Sequence, residues 1–101
     1  MPARVLFRPG AEADLDAIYD YIARDSRANA IEFTRRIRAQ CNSLSDFPVR
    51  GTRRDDLEPG LRTIGMERRV TIAFRVLEDN TVEILRIVYG GRELERVFSR
   101  P

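Results

Sequence analysis

Polar and apolar positions change period twice along this chain. Val5 and Phe7 alternate with Arg4 and Arg8, which predicts a short first strand ending at Pro9-Gly10. From Ala11 the spacing becomes helical. Leu15, Ile18, Tyr19 and Ile22 fall three and four apart, one apolar face of a helix reaching about Arg24. Glu12, Asp14 and Asp16 sit near its start, where carboxylates suit the exposed amide dipoles. Asp25-Ser26 reads as a break and cap, and Ala30, Phe33, Ile37, Cys41 and Leu44 mark a second helix ending between Ser45 and Pro48. So short a junction predicts an antiparallel helical hairpin.

The second half is β-patterned. After a connector, Phe47 to Pro59, rich in Pro, Gly, Arg and Asp, Leu61 to Ile64 reads as a strand. Val70, Ile72, Phe74 and Val76 alternate with Thr71, Ala73, Arg75 and Leu77, a strong strand pattern. Glu78-Asp79-Asn80 is a turn, and Thr81 to Tyr89 is the last long strand, closed by Gly90-Gly91. Glu93 to Phe98 reads as a short helical turn or a final strand, with Leu94, Val97 and Phe98 pinning it to the body. The expectation is one α+β domain over residues 1–101: an N-terminal strand, an antiparallel two-helix hairpin and a small, mainly antiparallel β-sheet. Arg75 points away from the Val70–Val76 apolar face. Arg62 and Arg86 are candidates to join it there, but both alternate sets of the last strand are apolar and leave the register open.

Composition narrows the chemistry. The chain has 101 residues, 43% hydrophobic and 34% charged, which fits a small folded domain. No apolar run is long enough to cross a bilayer, and no secretory signal opens the chain. A single cysteine on an apolar stripe reads as a buried thiol in a reducing compartment, so a cytoplasmic location is expected. All 18 basic residues are arginine, and the net charge is only +2. The first helix carries five acids and one arginine over residues 11–25; the second carries four arginines and one glutamate over residues 27–40. Those faces either complement each other or, through Arg35, Arg36 and Arg38, present a partner-binding surface. The connector is a candidate contact loop.

Without histidine, a catalytic metal would need clustered carboxylates, and Asp14, Asp16 and Asp20 do not share one helical face. Cys41 lacks a base, and there is no phosphate-binding glycine loop. Metal-independent RNA cleavage could draw on Arg62, Arg75, Arg86, Tyr89 and Arg92, with arginines stabilising phosphate charge. A tyrosine hydroxyl with a pKa of roughly 10, and neither histidine nor lysine beside it, is a poor proton shuttle.

The chain resembles the RelE/ParE toxin superfamily, on the ParE side. The resemblance is carried by Ala13-Asp14-Leu15 with Ile18 and Tyr21-Ile22, Phe33 with Ile37, and Leu44 to Pro48 with Gly51. It continues in Gly60-Leu61-Arg62, Ile72 to Val76, and Val82 to Arg92. The resemblance implies a bacterial type II toxin that needs no cofactor, poisons or inhibits DNA gyrase, and is neutralised by a cognate, ParD-like antitoxin. Operator DNA would be reached indirectly, through the antitoxin, and no membrane or small-molecule substrate is implied. The alternatives are a ribosome-dependent mRNA endoribonuclease of RelE type, or a non-toxic protein-binding module on the same scaffold. Tyr89 stands where many RelE-like nucleases carry histidine, and their lysines are missing. On this reading Arg62, Arg75, Arg86, Tyr89 and Arg92 form the target-binding surface. Tyr19, Ile22, Phe33, Arg35, Arg38 and Arg75 form the antitoxin-binding one.

Overall fold

The computed structural model describes residues 4–90 and 94–98. Strand β1 (Val5–Phe7) leads into helix α1 (Pro9–Ala23), and α2 (Arg27–Ser43) follows. The strand does stop before Pro9, but the helix opens at Pro9 itself rather than at Ala11. Proline suits the first helical position because the N–H it lacks would have had no acceptor. Gly10 has a packing reason. A Cβ there would lie 2.9 Å from Arg86 Cδ and 3.3 Å from the Leu85 carbonyl, so α1 starts almost against the last strand.

Ser26 caps α2 as its sequence position predicts, its hydroxyl accepting the Asn29 N–H at 3.1 Å. The helix ends at Ser43 rather than beyond Ser45. Leu44, Ser45 and Asp46 continue the winding through i→i−3 bonds to Cys41, Asn42 and Ser43, the tighter geometry that unwinds helix ends. Then come β2 (Thr52–Arg53), β3 (Leu61–Met66), β4 (Val70–Val76), β5 (Val82–Tyr89) and α3 (Leu94–Phe98). Two-residue β2 has no period that a sequence pattern could reveal.

The five strands order as β1-β5-β4-β3-β2, with β1 parallel to β5 and every other pair antiparallel. On one face, Leu15 and Ile18 of α1, Phe33, Ile37 and Cys41 of α2, and Leu44 just past its end bury Ile72, Phe74, Val82 and Ile84. Truncating a fully buried ring such as Phe74 to alanine would cost roughly 3–5 kcal/mol, so this layer contact dominates stability. Desolvation pushes the Cys41 thiol up to about 12, partly opposed by Arg38; it is an inert core residue. The other face also has a cover. Leu94 of α3, with Val97, Phe98 and Leu57, packs on Leu61, Ala73, Leu85 and Val88.

Candidate functional site

A bulge in β5 settles the register that sequence left open. Arg86 pairs with Ala73 and Ile84 with Phe74, leaving Leu85 as the extra residue. Arg86 therefore opposes Ala73, on the side of the sheet that carries Arg75. Beyond Ile84, β5 has no strand neighbour on its β1 side, because β1 pairs only with Val82–Ile84. Helix α1 runs along that edge instead.

Asp14 closes the gap. Its carboxylate accepts two parallel bonds from Arg86, Nε to Oδ2 at 2.8 Å and Nη2 to Oδ1 at 2.9 Å, and also the Ile87 backbone N–H at 2.8 Å. The side chains are 15% and 38% exposed. The bond to Asp14 raises the Arg86 pKa further, against the opposing pull of burial. Asp14 thus serves a strand edge rather than the dipole of its own helix. Helix period alone could not reveal this, because the partners lie more than seventy residues away.

Arg75 is similarly committed. Its Nη2 lies 3.0 Å from Glu83 Oε1, with Glu58 at 3.8 Å, and Glu83 is itself nearly buried. Arg62 lies elsewhere. It pairs in register with Phe74 and so shares the helix-bearing face, where its Nη1 reaches the Arg50 carbonyl at 3.4 Å. Tyr89 opposes Val70, and its ring meets Tyr21 and Phe33 edge-on at centroid distances of 5.9 and 5.7 Å. Arg92 lies outside the described residues. The four described residues of the set read as a target surface are therefore not one cluster.

The residues read as antitoxin-facing divide by exposure. Phe33 is 3% exposed, a core ring flanked by the guanidinium groups of Arg36 and Arg69. Tyr19 and Ile22 are half-buried. Arg38 bonds Glu12 of α1 at 2.8 Å and stacks over Phe7, while Arg36 bonds Glu67 in the β3–β4 turn at 2.7 Å. The opposite charges of the two helices thus act partly as staples between elements. Among the described residues, Arg35 pairs only within its helix, with Glu32 at 2.6 Å.

Two grooves flank the Tyr21–Tyr89 ridge. One, of about 610 Å³, runs between α1, the end of β5 and Val97; the other, of about 300 Å³, lies between the hairpin tip and Arg69. Tyr21 is 59% exposed. The most exposed large apolar side chains are farther away, in the connector: Phe47 at 74% and Val49 at 67%. The sequence marked that segment as a contact loop, but nothing in it said which side chains would project. Among the described residues no three potential metal ligands cluster.

The family model for the ParE toxin of type II toxin–antitoxin systems (parDE) matches residues 5–94. No curated protein matches the chain. Among solved structures, a chain of the chromosomal ParDE system from P. aeruginosa is 31% identical, with a TM-score of 0.73 over 87% of this chain and 96% of that one. A chain of the RelBE2 toxin–antitoxin complex from Mycobacterium tuberculosis shares the fold, at 24% identity and a TM-score of 0.55 over 88% and 99% of the two chains. No helix is long and apolar enough to cross a membrane, among the described residues.

Proposed function

Because the chain belongs to the ParE family of type II toxin–antitoxin toxins, we propose that it inhibits or poisons DNA gyrase and so blocks replication. A cognate antitoxin of ParD type neutralises it, and operator DNA is reached only through that antitoxin. The observation that favours inhibition over RNA cleavage is the state of the arginines. A nuclease of this fold would need cations free to meet a phosphate as charge develops on it. Here Arg86 is held bidentately by Asp14, and Arg75 donates to a single oxygen of Glu83. Releasing Arg86 leaves the largely buried Asp14 without its counter-ion, and releasing Arg75 leaves Glu83 with only the longer Arg8 contact at 3.8 Å. The chain's resources suit recognition: exposed rings and aliphatic side chains, flanked by arginines.

The antitoxin is proposed to lie across the helical hairpin, where Tyr19 and Ile22 are partly exposed and Arg35 projects. A disordered tail ordering there would trade chain entropy for coverage of a wide surface. The test is purified gyrase acting on supercoiled plasmid with ATP. Protein-bound cleaved DNA should rise with added toxin and vanish with added antitoxin. Unchanged cleavage and supercoiling, with folded protein that still arrests growth, would move ribosome-dependent RNA cleavage into first place.

A further inference from the structure

We propose that the connector between α2 and β3, with Phe47 and Val49 at its crest and Arg50 and Arg62 beside them, is the surface with which this toxin grips its target protein. The complementary site is an apolar pocket rimmed by carboxylates. The inference rests on the reading of the chain as a toxin acting on another protein, but not on that protein being gyrase.

Phe47 and Val49 are 74% and 67% exposed, within one short bend. The segment is nevertheless anchored at both ends. Leu44, just before it, is fully buried. Gly51, just after it, adopts φ +85°, and a Cβ there would stand 2.4 Å from the Thr63 carbonyl oxygen. Arg62 adds a bond to the Arg50 carbonyl. Two apolar side chains are thus held outward on a short, fixed support, which lowers the ordering cost of docking.

Charge adds a second feature to this patch. In the same connector, Arg53 bonds Asp55 and Arg54 bonds Asp56 and Glu95. Arg50 and Arg62 have no acidic partner within 4.0 Å among the described residues. Asp55, itself paired with Arg53, acts on Arg62 only from beyond ion-pair distance, and Arg50 leaves a positive charge next to the projecting side chains, which fits an acidic protein surface. A second copy of the chain fits poorly, because an isologous contact would set these arginines against themselves. The larger groove beside Tyr21 and Tyr89 is lined by equal numbers of acids and arginines, Asp14 and Asp20 with Arg24 and Arg86, and so carries no formal charge excess.

The test compares the wild type with Phe47→Ser/Val49→Ser and with Arg50→Glu, each purified away from the antitoxin. Affinity for purified gyrase and for the antitoxin, melting temperature and growth arrest on expression are measured for each. The double variant should bind gyrase at least ~30-fold more weakly and arrest growth poorly, with antitoxin affinity and melting temperature unchanged. Arg50→Glu should weaken gyrase binding about tenfold and flatten its salt dependence. Equal gyrase binding by wild type and variants overturns the proposal. So does selective loss of antitoxin binding, which would make the patch an antitoxin contact. If the wild type ignores gyrase yet arrests growth, the gyrase reading fails by itself. The connector then stands if the double variant no longer arrests growth, and falls if it does. A wild type that neither binds gyrase nor arrests growth overturns both.

Discussion

The α1–β5 seam and the α2–β3 connector are made of similar material, arginines next to apolar side chains, and use it in opposite ways. In the seam, Arg86 is neutralised by Asp14, and Tyr89 lies edge-on between two rings; the charge and the aromatic surface serve the fold. In the connector, Phe47 and Val49 project, and neither Arg50 nor the neighbouring β3 residue Arg62 makes an ion pair among the described residues. An arginine on a strand therefore says little about recognition until its partner is known. The informative quantity is whether the charge is already satisfied.

The contrast is most easily broken at Asp14. Asp14→Ala leaves Arg86 without its counter-ion and the Ile87 N–H without its acceptor. Unfolding free energy should fall by about 3 kcal/mol, the low end for a broken buried pair because Arg86 is partly exposed. Urea denaturation should show it, with a melting temperature lower by roughly 10–20 °C. A change within about 0.5 kcal/mol would remove the seam's structural role.

Gly51→Ala should cost about 2 kcal/mol, since the new Cβ meets the Thr63 carbonyl in a left-handed backbone. Amide exchange around residues 46–53 should accelerate while β5 stays protected; uniform acceleration would mean that the connector is not separately anchored. Asp14→Asn/Arg86→Leu removes both charges yet keeps an acceptor for Ile87. Its stability should lie within about 1 kcal/mol of the wild type, which chemical denaturation would measure. A larger loss would mean that the ion pair itself, not only its completeness, holds the seam.

The smallest effect concerns acid. Arg54 holds the Asp56 and Glu95 carboxyls below their ordinary values of 3.8 and 4.5, and the Gly60 N–H does the same for Asp55. Depressed values mean that this stabilisation is complete above the ordinary carboxylate range and is lost as pH falls through the folded-state values. Below about pH 4 the 54–60 loop and α3 should loosen before the α2 core does, as read by amide chemical shifts. Simultaneous loss of α2 and α3 would contradict that order.

Much of the fold was legible because period and capping are local. The change from alternation to helical spacing at Ala11, the Ser26 cap and the β4 alternation all name their elements. Two-residue β2 carries no period, and Pro9 is ambiguous between strand terminator and first helical residue. The candidate site was less legible. Asp14 reads as a dipole acid in sequence, and only the approach of α1 to the open edge of β5 makes it the partner of Arg86. Arg62 and Arg75 look equivalent as strand arginines, and register puts them on opposite faces. Phe47 and Val49 gave no local sign that they would project, since exposure depends on where Leu44 and Gly51 fasten the chain.

The most direct measurement sets the two regions against each other in one gyrase assay. Plasmid cleavage by gyrase is titrated with the wild type, with Asp14→Asn/Arg86→Leu and with Phe47→Ser/Val49→Ser, all verified as folded and able to bind the antitoxin. The seam variant should poison gyrase within about twofold of the wild type, while the connector variant loses most of that activity. A folded seam variant that has lost activity, beside a connector variant that keeps it, would contradict the account.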